Sequence, residues 1–516
     1  MPQRGPEIRA RRAAPKRRPS GKDTEVLDTA PNSPAIKGMY VNGQWVRAAT
    51  TFADMNPSDG KKWADIPDGS RADARAAIEA AQAAFESWST LKFTERAHYM
   101  LKIADAWERR LPDFVAAMQR EGGGWFGKGM FEAGYVPEVF RAASAVCYDS
   151  IGEIMPSESG KFSMAVRAPI GVVSVISPWN FPGILSSRGF AFPMAAGNTV
   201  VLKPSEDTPY CGGLFFAEIM DEVGLPAGVF NVITCDRGNV AAVGDELIEN
   251  PAVKGISFTG STPVGRSIAA KAGAHLKKAC VELGGKDSLI VLDDADMERA
   301  TQAANFGSFM HQGQICMSVE KVLVHESIYP EFLRKFVARA AKLTVGDTSD
   351  KGNIIGPLIN DRQVARVKAQ LDDALAKGAK VALGGKIEGR FVHPTILTGV
   401  TPEMDIYRDE TFGPVVPVIP FRTDAEAIAL NNDTEYGLSA GIFSRNEERA
   451  LAMSRKLATG MCHINCSSVN DEPHVPFGGS KASGLGRHGG RWSVDTFTET
   501  RWITLERGGR NYPPVF

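Results

Sequence analysis

The stretch Val172-Val173-Ser174-Val175-Ile176-Ser177-Pro178-Trp179-Asn180-Phe181-Pro182 decides how this chain folds. Its first five residues are a β-branched run of strand length, and the two prolines that follow end it abruptly. Working outward, the same unit recurs. Short apolar runs lie at Thr199–Leu202, Val229–Ile233, Gly255–Phe258, Leu289–Leu292 and Val322–Val324, each followed by a turn signal. Helical stretches such as Cys211–Val223 separate them. Strands that alternate with helices predict parallel sheets with crossovers, hence the α/β class. Two such series, before and after about residue 283, predict two Rossmann-like parallel-sheet domains.

Two amphipathic helices flank these series. Ala72, Ala74, Ala77, Ile78, Ala81, Ala84, Phe85 and Trp88 recur at helical spacing behind Asp68-Gly69-Ser70, a capping sequence. A second helix is predicted over Arg362–Ala379, with Val364, Val367, Leu371 and Leu375 on one face. Ile151–Arg167 reads differently, as a hairpin turning at Ser157-Glu158-Ser159-Gly160. Thr496–Leu505 alternates like a strand with no helix after it. Both would be edge strands in want of a partner, so the segments 151–171 and 496–516 are assigned to a small β extension for subunit pairing, in a homodimer or homotetramer.

Composition narrows the function classes. At 516 residues the chain exceeds one usual folding unit, and 43% hydrophobic residues suffice for ordinary cores. A formal net charge of -1 argues against a nucleic-acid partner. No apolar run reaches the roughly 20 residues that span a bilayer, so no membrane partner is expected. The cysteines at 147, 211, 235, 280, 316, 462 and 466 are scattered. That spacing suits neither a zinc site nor a disulfide framework, and points to a reducing, cytoplasmic setting without a metal. Residues 1–34 form a basic, proline-containing segment that reads as a disordered tail.

Several clusters carry chemistry. Cys316 follows the polar stretch His311-Gln312-Gly313-Gln314. A thiol with a reference pKa of about 8.5 needs a helix N-terminus or backbone amides to become a nucleophile at neutral pH. By residue type alone a buried structural cysteine is the commoner reading. Glu282, at a strand end before Gly284-Gly285-Lys286, is either a general base or a surface acid. Asn180 lies between two prolines beyond the end of a strand, where α/β proteins bind ligands, and offers an amide donor for an oxyanion.

Ser261, in Phe258-Thr259-Gly260-Ser261-Thr262, opens a helical stretch that can hold a diphosphate. The nearby string Gly260 to Ser267 misses the P-loop pattern because Arg266 replaces its lysine, which rejects an ATPase. Lys203 and Glu206 can bind ribose hydroxyls or form an exposed ion pair. Glu410 and Phe412 suit a second ribose carrying a flat ring.

Taken in order, these motifs resemble the aldehyde dehydrogenase superfamily from about Tyr40 to Trp502. Pro476-Phe477-Gly478-Gly479-Ser480-Lys481 and Ser483-Gly484-Leu485-Gly486-Arg487 complete the series. Within it the chain is most similar to benzaldehyde, vanillin and salicylaldehyde dehydrogenases, on residues 311–318 and 470–477. The resemblance implies an NAD-binding domain from 35–150 with 172–283, and a catalytic domain over 284–495. It implies Cys316 as nucleophile, Glu282 as base, and Asn180 with the Cys316 N–H as oxyanion donors. Ile176, Trp179, Lys203, Glu206, Ser261, Glu410 and Phe412 would hold NAD, with NADP use left open by Lys203. An aromatic aldehyde is the expected substrate, with aliphatic aldehydes or a semialdehyde as alternatives. Trp125, Phe126, Phe131, Tyr135 and Phe140, in one helical stretch, read either as an aromatic wall for it or as core, the commoner role of aromatic residues at helical spacing. Glu282 argues against acyl transfer to coenzyme A. The chain departs from the family at Cys235-Asp236-Arg237-Gly238, where many members carry a Gly-x-Gly turn.

Overall fold

The computed structural model describes residues 36–509 and residue 512; the basic tail expected over 1–34 lies outside the described residues. Val172–Ile176 is a strand near the middle of an eight-stranded sheet, with Val172 to Val175 buried. Across that sheet run Gln44–Val46, Met39–Val41, Phe230–Val232, Thr199–Lys203, Val172–Ile176, Val253–Thr259, Lys278–Glu282 and Gly484–Leu485. The five from Phe230–Val232 to Lys278–Glu282 are parallel. From Val172–Ile176 the chain winds outward in one direction, then crosses back to place Val253–Thr259 on the other side. That reversal opens a crevice beyond Ile176 and Thr259, the position at which doubly wound sheets bind ligands.

A second, seven-stranded sheet runs Lys380–Leu383, Thr395–Thr398, Val415–Phe421, Val319–His325, Asp287–Val291, Ala440–Phe443 and His463–Ile464. All its pairings are parallel except that of the Lys380–Leu383 edge. The α/β architecture with two mostly parallel sheets is therefore as expected from the alternation of strands and helices. One crossing was not foreseen: Gly484–Leu485 returns to the first sheet and pairs antiparallel with Val281 and Glu282.

The first helix spans Arg71–Ser89, and Ser70 and Asp73 cap each other reciprocally at its start. The second begins at Asn360 and covers Asp361–Ala376. The stretch around Cys211 is not uniformly α-helical. It opens as a π-helical turn over Tyr210–Leu214, where the buried Glu121 carboxylate accepts the N–H groups of Tyr210 and Cys211, before the helix Phe215–Glu222. The hairpin forms from Gly152–Met155 and Phe162–Pro169, and Gly160 N–H donates to Ser157 across its turn at 3.2 Å. The last strand, Thr498–Leu505, pairs along the whole of Phe162–Pro169. Those two segments thus satisfy each other rather than both awaiting an external partner, leaving Ile154 and Trp502 74% and 70% exposed. Among the described residues no helix is long and apolar enough to cross a membrane.

The helix Pro182–Ala195 carries the 177–182 loop and is buried at every residue. Its first N–H groups need acceptors that solvent cannot supply. Glu132 accepts from Gly183 at 2.7 Å and from Ile184 at 3.2 Å, and its other oxygen pairs with Lys128. Both side chains of that pair are fully buried. Removing one partner of such a pair strands the other, a loss of about 3–5 kcal/mol. E132A should therefore lower unfolding free energy by about that amount in denaturant titration.

Candidate active site

Cys316 sits on a tight turn before the strand Val319–His325, closed by Ser318 N–H donating to Ile315 at 2.9 Å. The approach to it is strained. His311 and Gln312 adopt φ of 47° and 56°, followed by Gly313 at 69°. Such left-handed backbone is costly for residues with a side chain and persists only where the surroundings impose it. Here Gln312 Nε2 donates to the Pro357 carbonyl at 2.8 Å, and Gln314 Oε1 accepts Ile359 N–H at 3.1 Å. Ser318 Oγ holds the Gly313 carbonyl at 3.0 Å. The polar stretch before the cysteine is an anchor for the turn. The Cys316 N–H is left without an intramolecular acceptor.

Two cavities meet at this residue. One extends over the crevice of the first sheet and is lined by Trp179, Gly260, Ser261, Glu282, Glu410 and Phe412 among others. The other holds about 260 Å³ and is lined mainly by apolar side chains, including Phe131, Phe181, Ile184, Phe306, Met310, Ile315, Met317, Val469 and Phe477. Asn180, Leu185 and Cys316 border both. The Asn180 amide donates to the Gln314 carbonyl at 3.1 Å, so the turn holds it beside the cysteine.

Glu282 ends its strand, buttressed by Gly484–Leu485 on the far side. Neither of its oxygens has a hydrogen-bond partner. Burial pushes its pKa up to about 8, against the opposing pull of Arg188 and of the nearby Cys316 thiol. Burial, then the Glu282 charge, push the Cys316 thiol well above its ordinary range. The thiol occupies no helix N-terminus, the anion-favouring setting weighed from the sequence. Its ionisation has to be assisted.

The cofactor-side residues are held as a connected set. A Cβ on Gly284 would stand 2.6 Å from Glu410 Oε1, so a side chain there would expel the carboxylate. Gly285 N–H donates to the same oxygen at 3.1 Å. Burial pushes Glu410 up to about 7, opposed by Arg366, whose guanidinium lies 3.6 Å away. The buried pair Lys286–Glu320, at 2.7 Å, fixes the next turn: Glu320 accepts the N–H groups of Thr411 and Phe412, both at 2.9 Å. Phe412, at φ 53°, meets Trp179 edge-on with ring centroids 5.4 Å apart. Ser261 begins the helix Thr262–Ala274 with its hydroxyl unengaged in capping. Ile176 ends its strand at the crevice. Lys203 is buried and donates to the Pro204 carbonyl at 2.9 Å. Lys203 and Glu206 form no ion pair with each other; Glu206 is paired to Arg237 at 2.9 Å.

The sequence pattern of the aldehyde dehydrogenase family matches residues 45–503. The chain belongs to the aldehyde dehydrogenase family. It is an oxidoreductase. It is 43% identical to a vanillin dehydrogenase of Pseudomonas fluorescens, over 90% of this chain and 97% of that one. It is 40% identical to a benzaldehyde dehydrogenase [NAD(+)] of Pseudomonas putida, covering 93% and 98%. The crystal structure of a salicylaldehyde dehydrogenase from Pseudomonas putida G7, complexed with salicylaldehyde, superposes with a TM-score of 0.90 at 40% identity, covering 92% of this chain and 99% of that one.

Within this aldehyde dehydrogenase, reading the sequence missed part of the apolar cavity. Of the aromatic residues from Trp125 to Phe140, which read as either wall or core, Phe131 alone borders it. Phe140 is wholly buried in the core, and Tyr135 packs behind Phe131 with ring centroids 5.9 Å apart. Helical aromatic spacing signals burial as readily as a binding wall. Arg188 was also missed: it is buried at the cavity, paired with Asp471 and stacked 4.0 Å over Phe477.

A carboxyl raised from its ordinary value near 4.5 to about 8 holds its proton more tightly in the folded chain. Ionising it therefore costs stability progressively as pH rises through that window. E282Q should melt higher than wild type at pH 8, by a margin that shrinks toward pH 4.5, in thermal unfolding followed across pH.

Proposed function

We propose that this chain oxidises aromatic aldehydes to carboxylic acids with NAD, carrying the acyl group on Cys316. The observation behind this reading is the position of Cys316 and Asn180 on the shared border of a polar crevice and an apolar cavity. The three relatives named above, which act on vanillin, benzaldehyde and salicylaldehyde, support an aromatic substrate. So does the lining by Phe131, Phe181, Phe306 and Phe477, apolar surface that excludes water from the reacting carbon.

The crevice residues fit a dinucleotide. The free Ser261 hydroxyl and the first N–H groups of Thr262–Ala274 suit a diphosphate. Lys203 and Glu206 would take the adenine-side ribose, and Glu410 the nicotinamide-side ribose. Ile176, Trp179 and Phe412 would pack against the rings. When bound, the cofactor supplies the hydride acceptor and a positive charge.

In this reading Glu282 takes the thiol proton, and the Cys316 sulfur adds to the aldehyde carbon. The carbonyl electrons move to oxygen, which the Asn180 amide and the Cys316 N–H stabilise. Departure of the aldehyde hydrogen as hydride leaves a thioester on Cys316. Glu282 passes the thiol proton to solvent and so regains its charge; it then takes a proton from water as that water attacks the thioester carbon, and the sulfur leaves as thiolate to give the acid. A base pushed up to about 8 suits a pH-dependent hydrolysis, and its presence favours water over coenzyme A as acyl acceptor.

The chain over 35–150 and 172–283, which carries seven of the eight strands of the first sheet, serves as the NAD-binding domain, and 284–495 as the catalytic domain. We assign 151–171 and 496–516 to pairing in a homodimer or homotetramer, on the exposed apolar side chains Ile154 and Trp502. The seven free cysteines favour a cytoplasmic setting.

Benzaldehyde, vanillin, salicylaldehyde and medium-chain aliphatic aldehydes, each assayed for NADH formation without coenzyme A, test the reading. The aromatic aldehydes should show the highest kcat/KM, and aliphatic preference would refute the substrate class. C316A should abolish turnover. N180A should lower kcat by about 10²–10³, the effect of losing one oxyanion donor.

A further inference from the structure

The departure at Cys235-Asp236-Arg237-Gly238 has a definite place in the fold. The strands Thr199–Lys203 and Phe230–Val232 are parallel neighbours, so the segments after them emerge side by side at the carboxyl edge of the first sheet. The first of these carries Lys203 and Glu206. The second forms a tight turn in which Asn239 N–H donates to the Asp236 carbonyl at 2.9 Å, and Gly238 N–H to the Asp236 carboxylate at 3.1 Å. Asp68 fastens this turn, accepting Asp236 N–H at 2.8 Å and the Asn239 amide at 3.0 Å. Arg237, at the tip, is thereby held over Glu206, with Nη1 2.9 Å from Oε1. The Cys235 thiol feels both the Lys203 and Glu206 charges, so the turn lies against the pair rather than apart from it.

This arrangement changes what the ribose position can accept. A lone carboxylate repels a phosphate on the neighbouring ribose hydroxyl, whereas an arginine accommodates it. Here the carboxylate is already neutralised by an arginine that uses one N–H for Glu206 and keeps the rest of its planar fork free. Its side chain is 57% exposed, so the guanidinium reaches solvent. Lys203, buried at the end of the neighbouring strand and acting with Glu206 on the Cys235 thiol, supplies a second cation. We propose that Arg237 is a cofactor-specificity residue that lets this enzyme take NADP alongside NAD. The proposal rests on the dinucleotide reading of the crevice given above. A free hydroxyl leaves Arg237 on Glu206, and Glu206 Oε2 accepts from the ribose. A 2′-phosphate draws the guanidinium across to form charge-assisted hydrogen bonds, with Lys203 on its other flank.

The test is equilibrium binding, by calorimetry on the full-length enzyme without aldehyde. The probes are NAD, NADP, 5′-ADP and 2′,5′-ADP. Wild type should bind NADP within about tenfold of NAD. R237Q should weaken NADP and 2′,5′-ADP by about tenfold or more, the worth of one hydrogen bond to a charged group. NAD and 5′-ADP should change by less than about threefold, and R237K should recover part of the loss. Equal weakening of all four probes would make the Arg237–Glu206 pair merely structural and overturn the proposal. So would an NADP affinity that R237Q leaves unchanged. Failure to bind either dinucleotide would overturn the underlying cofactor reading as well, a result distinct from both.

Discussion

The absence of side chains at two adjacent positions governs the geometry of this site. Glu282 closes the first sheet and Asp287 opens the second, and the chain between them passes through Gly284 and Gly285. A Cβ at 284 would lie 2.6 Å from the Glu410 carboxylate, and one at 285 would lie 2.6 Å from the Cys316 carbonyl oxygen. Bare backbone is thus the contact surface for the Glu410 carboxylate on one side and for the main chain of the Cys316 turn on the other. The same connection is locked from behind, where Ser483 Oγ donates to the Gly284 carbonyl at 2.6 Å. The approach of Glu410 and of the Cys316 turn to this connection therefore requires glycine at both positions.

Around this contact the molecule buries several charges, and each is treated differently. Lys128–Glu132 and Lys286–Glu320 are paired, and both hold main-chain N–H groups in place. Their work is positional: one fixes the loop bearing Asn180, the other the turn bearing Glu410 and Phe412. Glu282 is given neither a cation nor a backbone donor, and meets only the Cys316 thiol. Its raised affinity for a proton is the cost of standing unpaired in a dry site, and it is also what lets it exchange protons near neutrality. Stability is sacrificed at Glu282 and, less, at Glu410, and is retained at the two ion pairs.

How much of this the sequence discloses depends on the range of the interaction. Alternating strands and helices are local, so the two parallel sheets, the Ser70 cap and the hairpin at Ser157–Gly160 were legible, to within a residue or two at most strand ends. The motifs around Asn180, Glu282 and Cys316 were legible as candidates, and their ordered series pointed to the family. Contacts between distant segments were not. Nothing near Leu485 announces that it completes the sheet beside Val281, and Arg188 lies 283 residues from the Asp471 it pairs with. The aromatic helix is instructive, since spacing left wall and core both open for it, and Phe131 and Phe140 share one helix yet only the former faces the cavity.

The left-handed pair His311 and Gln312 bears on how the protein comes to be made. That backbone is held by Gly123, which the ribosome has already delivered, and by Pro357, 45 residues further along. While Cys316 is leaving the exit tunnel the second clamp does not yet exist, and the turn has no reason to adopt its strained form. The nucleophile is therefore set only after residues 357–359 have emerged and docked. Vectorial synthesis thus leaves the turn around the thiol unset until Pro357 is available to clamp it, when only Asp287–Val291 and Val319–His325 of the second sheet have been made.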